Sequence, residues 1–128
     1  MKLLLDTHIW LWTWLEPARL VSRVQKQLQD QTNELWLSPI STWEALLLQA
    51  KGKVKLHDPP EIWVPLAMQE FREAPLTHEI ALASQQLGLH SDPADRFLAA
   101  TAKVLDLTLV TADERLLAVR GISTLSNR

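Results

Sequence analysis

The apolar run Leu3-Leu4-Leu5 is too short for a helix and is cut off at once by Asp6. It therefore reads as a buried parallel strand whose last residue emerges at the carboxyl edge of a sheet. This placement constrains the chain more than any other feature, because in open α/β sheets ligands bind at that edge. An acid directly after a buried strand has no routine structural task, so position alone makes Asp6 a functional candidate. The pattern returns near the other end, where Thr108-Leu109-Val110-Thr111 is followed by Asp113.

Helical and strand-like stretches alternate between these two points. Thr7 to Leu15 is apolar almost all round, carries Trp10, Trp12 and Trp14, and closes before Pro17. Three tryptophans at consecutive even positions of one helix cannot share a face, so at least one ring is expected to look outward and to join an apolar patch for dimerisation or partner binding. Arg19 to Gln31 reads as a surface helix with one buried stripe, and Glu34 to Ser38 as a strand ended by Pro39. Ser41-Thr42-Trp43-Glu44 has the form of a capping box, which starts a helix that Gly52 stops amid the basic cluster Lys51, Lys53 and Lys55. His57-Asp58-Pro59-Pro60 opens a helix over Glu61 to Arg72, Ala74-Pro75-Leu76 is expected as a short strand, and Thr77 caps a helix through Leu87. Asp92-Pro93 is a strong helix start that puts Asp95 in the first turn, where the helix dipole favours its charge. Leu116 to Val119 suggests one more helix and Ile122 to Leu125 a last edge strand.

Such alternation predicts a single domain over residues 1–128, a three-layer α/β/α sandwich with a short, mostly parallel central sheet. In that fold Asp6 and Asp113 follow strands, while Glu44 and Asp95 lie near helix N-termini that face the same rim. Four like charges so gathered repel, and a divalent cation or a raised pKa relieves them. The chain has no cysteine, so a metal here takes oxygen or imidazole ligands, and Mg2+ or Mn2+ suits an all-oxygen site. The absence of cysteine also fits a reducing, cytoplasmic setting. No apolar span is long enough to cross a bilayer. With a formal net charge of −2, contact with nucleic acid needs a local basic patch or a bridging cation.

Leu4-Leu5-Asp6-Thr7-His8-Ile9-Trp10, Ser38-Pro39-Ile40-Ser41-Thr42-Trp43-Glu44, Asp92-Pro93-Ala94-Asp95-Arg96 with Ala99-Ala100-Thr101-Ala102, and Leu109-Val110-Thr111-Ala112-Asp113 together resemble a PIN domain, and in particular the VapC-type ribonuclease toxins of toxin–antitoxin pairs. The resemblance spans nearly the whole chain, with four motifs in the expected order. It implies an Mg2+- or Mn2+-dependent endoribonuclease, often a homodimer, restrained by a cognate antitoxin that inserts into the active-site groove. Residue by residue, the family's acids fall on Asp6, Glu44, Asp95 and Asp113, with Asp92 as an accessory.

The chain offers no cysteine nucleophile and no Ser or Thr with an evident His and Asp arrangement, which leaves hydrolysis by metal-activated water. With the family's acids carried over, Asp6, Asp95 and Asp113 would hold one or two cations. Glu44 ligates a second cation, directly or through water, or orients the nucleophile, unless it is only a capping-box acid. Asp92 reads first as a helix cap. Thr7 and Thr111 either position a water or phosphate oxygen or are buried hydroxyls bonded to backbone. Arg96 either contacts phosphate or steadies the acids by a salt bridge. His8 and His90 approach the groove without being expected as ligands. Two readings compete with the ribonuclease: a phosphohydrolase of another α/β family with Asp6 as nucleophile, and an inactive partner-binding module. The first would want an acid two residues after Asp6, where His8 stands, and the second would not need all four acids.

Overall fold

A computed structural model describes residues 1–89 and 92–128. Strand β1 (Lys2–Leu5) leads into helix α1 (Thr7–Leu15), a 3₁₀ turn at Pro17–Arg19 and helix α2 (Ser22–Gln29). Strand β2 (Glu34–Leu37), helices α3 (Pro39–Ala50) and α4 (Pro60–Ala67) and the two-residue strand β3 (Arg72–Glu73) follow. The second half holds α5 (His78–Ser84), α6 (Pro93–Val104), β4 (Thr108–Thr111), α7 (Glu114–Leu117) and β5 (Ser123–Ser126).

The five strands form one sheet in the order β3-β2-β1-β4-β5, and every neighbouring pair is parallel. From β1 the chain winds outward through β2 to β3, then crosses back to β4 and winds the other way. The reversal lies between β1 and β4, where the crossovers diverge and leave a crevice beyond the strands' carboxyl ends. Leu5 pairs with Val110 across that line, and the Asp6 amide donates to the Val110 carbonyl at 3.0 Å, which extends the ladder by one residue.

Alternation along the strands divides the core in two. Leu3 and Leu5 point into a cluster with Ile9, Trp10, Leu37 and Trp63, beneath α1 to α4. Leu4 points the other way, to Leu98, Ala99, Leu109 and Leu116 beneath α6 and α7. Each fully buried leucine contributes about 1.5–3 kcal/mol by leaving water, so both faces of β1 hold its register. Alanines at 94, 99, 100 and 102 are buried on α6 and let its backbone come close to the sheet.

Several boundaries differ from those expected. Helix α3 begins at Pro39, with the Ser38 hydroxyl accepting from the Ile40 amide, so Ser41 is inside the helix and Glu44 serves no capping box. The Pro39 ring fits the first helical position, where no N–H is needed, and that wins over the later Ser41 signal. The second helix starts only at Ser22, after the 3₁₀ turn. Helix α4 gives way to a 3₁₀ turn at Met68–Glu70, and the third strand is Arg72–Glu73 rather than residues 74–76. Ala74 instead donates its amide to Leu37 and is fully buried. Helix α5 stops at Ser84, α7 at Leu117, and β5 lies one residue later than expected. Among the described residues no helix is long and apolar enough to cross a membrane.

The tryptophans of α1 divide as helix geometry requires. Trp10 is fully buried and meets the edge of Trp14 at 4.9 Å, and Trp63 completes the group at 6.1 and 6.0 Å from them. Trp14 is 37% exposed, the outward ring expected, and Trp12 lies half-buried on another face.

Candidate active site

Asp6 sits at the N-cap position of α1 and is 7% exposed. Its Oδ2 accepts a 2.7 Å hydrogen bond from the hydroxyl of Thr111, the last residue of β4. The same hydroxyl oxygen accepts the Asp113 amide at 3.0 Å, so one buried threonine ties both strand-end acids together. Asp113 is the N-cap of α7, with its Oδ1 accepting from the Arg115 amide at 2.8 Å and the Arg115 Nε 3.7 Å away.

Thr7 does a matching task on the other side. Its hydroxyl lies 2.5 Å from Glu44 Oε1, the short O–H···O⁻ distance of a charge-assisted bond, and 3.0 Å from Ser41 Oγ. Glu44, in the second turn of α3, is thereby drawn toward the start of α1 and the sheet edge. Asp92 caps α6 by accepting the Asp95 amide at 3.0 Å, and Asp95 stands in the first turn. His90 lies outside the described residues.

The acids share one electrostatic field. Asp95 is pushed up from 3.8 to about 7, first by desolvation and then by the charges of Asp92, Asp6, Asp113 and Glu44, all in the same direction. Burial raises the Asp6 carboxyl against the lowering effects of the Thr111 bond and His8, and Asp113 raises it further. Glu44 is raised by burial, with its Thr7 bond and His8 opposing and Asp6 and Asp92 adding to the rise. Thus Asp6, Glu44, Asp95, Asp113 and Asp92 act on one another across the crevice between β1 and β4. Among the described residues the only salt bridge to any of them is Arg115 with Asp113, at the rim.

Among the described residues no three Asp, Glu or His groups are gathered tightly enough to hold an ion between them. The donor set still fits a hard divalent cation, since it consists of carboxylates, is short of positive charge, and contains a buried Asp6 whose ionised form needs a counter-charge.

The Thr111 hydroxyl is buried and bonded to backbone, as one expectation had it, but it also donates to the Asp6 carboxylate, and Thr7 bonds to side chains alone; neither carboxylate clamp, nor Ser41 as a neighbour of Thr7, has a local signal in the sequence. Among the described residues Arg96 makes no salt bridge to the acids, and its buried Nε has no partner. The pair expected to steady the cluster is therefore not what holds it. The hydroxyls are.

Residues 3–122 match the family profile of the PIN domain. Over 115 residues the chain is 33% identical to Ribonuclease VapC22 of Mycobacterium tuberculosis (strain ATCC 25618 / H37Rv), with 88% of each protein covered. Its fold is similar to that of a DNA-bound VapBC from Salmonella typhimurium, at a TM-score of 0.76 and 17% identity over 100% of this chain and 99% of that one. VapBC2 from Rickettsia felis, bound to a DNA fragment from its promoter, is similar at a TM-score of 0.73 and 16% identity, with 98% of each chain covered.

Proposed function

The chain belongs to the PIN-domain family, among its VapC-type ribonucleases, and on that premise we propose that it is an Mg2+- or Mn2+-dependent endoribonuclease, the toxin of a toxin–antitoxin pair. The observation that carries this reading is the meeting of Asp6, Glu44, Asp92, Asp95 and Asp113 at the sheet's switch point, two of them tied by Thr111 and one held by Thr7, where burial first and the other four charges second push Asp95 up to about 7. Unrelieved, such a cluster weakens the fold, so it needs a cationic occupant to be worth having.

Asp6, Asp95 and Asp113 would hold the ion, with Glu44 as a further oxygen donor. When bound, the ion supplies Lewis acidity, lowering the pKa of water and offsetting charge on the phosphate. Thr111 fixes the carboxylate of Asp6 and the backbone of Asp113 in one unit. Thr7 keeps Glu44 aimed at the crevice in a position to orient water. Asp92 holds the first turn of α6 and thereby the place of Asp95. Arg96, exposed in part beside Asp95, is suited to a substrate phosphate.

A cognate antitoxin follows from the same premise, since a structure similar in fold is a toxin–antitoxin complex from Klebsiella pneumoniae. Trp14, with the exposed Trp43, Leu47, Ile62 and Leu66, offers apolar surface for that partner or for a homodimer. The reducing interior of the cell is the setting proposed.

The test incubates purified protein with a mixed RNA pool in EDTA, Mg2+ or Mn2+ and maps the cut ends. Cleavage should require the ion and vanish in Asp6→Asn, whose circular dichroism stays native. Cleavage by Asp6→Asn that is undiminished and resists EDTA overturns the reading.

A further inference from the structure

Beside the acids lies a cleft of about 460 Å³ that the ribonuclease chemistry leaves unused, lined by His8, Trp12, Arg19, Lys53, Lys55 and the apolar flank of α1. Its volume falls within the range of small-ligand sites. Its composition is unlike the rest of a chain with net charge −2, because three cations share its lining with one indole and a single acid, Glu16.

Local structure explains how they meet. Gly52 adopts φ +72°, which ends α3 in a left-handed residue, and the Lys53 amide returns to the Leu48 carbonyl at 2.9 Å. The chain therefore folds back along α1 and brings exposed Lys53 and Lys55 opposite Trp12. Among the described residues neither lysine has an acidic partner. The Arg19 guanidinium lies over the Trp12 ring at 4.6 Å, and His8 flanks that ring at 6.0 Å. His8 is also two residues after Asp6, so one turn of α1 connects the cleft to the acids.

We propose that this cleft binds one nucleotide of the single-stranded RNA substrate next to the scissile bond, its base on the Trp12–Arg19 surface and its phosphate between Lys53 and Lys55. The proposal rests on the ribonuclease reading. Bases stack on indole and guanidinium planes whatever their identity. The lysines supply the local positive patch that phosphate binding demands of an acidic chain. A basic or neutral protein segment is the less favoured occupant, because the cleft's rim puts three cations against the single acid Glu16, which already pairs with Arg19 at 3.0 Å, and an acidic segment would leave the Trp12–Arg19 stacking surface unused.

The experiment measures anisotropy of a labelled, short single-stranded RNA of randomised sequence against full-length Asp6→Asn protein, with and without Lys53→Gln/Lys55→Gln or Trp12→Leu. The lysine double variant should weaken binding about tenfold and reduce the salt slope by about 0.7, the yield of one phosphate no longer neutralised on a single strand. Trp12→Leu should weaken binding about five- to hundredfold and leave the salt slope alone. The lysine variant changes only exposed groups, so it decides the matter even if Trp12→Leu fails to fold. RNA binding and salt slope unchanged in the lysine variant overturn the subsite while leaving the nuclease intact, as does a loss of antitoxin binding with RNA binding retained. No RNA binding by the parent, with no cleavage by the wild type, overturns the ribonuclease reading itself.

Discussion

Replacing Asp95 by asparagine should stabilise the metal-free protein, and the gain should grow with pH. In the folded chain Asp95 is held at about 7 against an ordinary 3.8. Folding therefore favours its neutral form. The wild type keeps its full stability below about pH 4 and loses some as pH rises towards 7, and the loss levels off above it. Asparagine is neutral throughout and escapes that loss. Raising a carboxyl from 3.8 to about 7 corresponds to ~4 kcal/mol at 1.36 kcal/mol per pH unit. Asp95 is partly exposed, and solvent screening reduces this to about 1–2 kcal/mol. Against it stands the first-turn dipole contribution of a negative charge, about 0.5 kcal/mol, which asparagine forfeits. The net gain is about 1 kcal/mol, or about 3 °C in Tm for a domain of this size. Thermal unfolding in EDTA at a series of pH values measures it. Asp95→Asn should melt higher than wild type at about pH 8 and converge with it near pH 4. A lower Tm at the alkaline end, or a pH-independent difference, refutes the idea that crowded carboxylates strain this site.

Other perturbations separate the supporting roles. Thr111→Val removes a buried hydrogen bond to a charged group and should cost about 2 kcal/mol in urea unfolding at neutral pH. It should also raise the Asp6 carboxyl further, because the Thr111 bond lowers it, and Thr111→Ser should restore most of both. Asp92→Ala should cost about 1 kcal/mol as a lost helix cap and leave RNA cleavage within a few-fold of wild type. It should also bring Asp95 down, since Asp92 is the largest charge acting on it. A loss of cleavage comparable to that of Asp6→Asn would make Asp92 a ligand instead. Leu98→Ala, at a fully buried position of the α6 face, should cost about 2–5 kcal/mol, read as a fall in urea midpoint with cleavage unchanged at a temperature where the variant stays folded.

The strand-end acids were legible because β1 and β4 are short apolar runs with abrupt polar ends, and both strands formed where expected. The Asp92-Pro93 start of α6 was equally plain, since cap and proline act within adjacent residues. The capping box at Ser41 failed because two N-cap signals compete within four residues, and only the backbone path after β2 decides between them. Strand β3 was missed because two exposed residues, Arg72 and Glu73, carry no period. The hydroxyl clamps were beyond local reading altogether. Thr7 to Glu44 spans 37 residues and Thr111 to Asp6 spans 105, and each exists only once the parallel register has brought β1 beside β4 and α1 beside α3. Sequence placed the acids on one rim. What it could not contain was the way each is tethered.

If these carboxylates form one divalent-cation site, Mn2+ binding followed by electron paramagnetic resonance will show it. Wild type should bind the ion with an affinity that rises from about pH 5.5 to about pH 8 as Asp95 loses its proton, and Asp6→Asn should abolish the binding. Equal Mn2+ binding by wild type and Asp6→Asn across that range would show that the carboxylates do not form such a site.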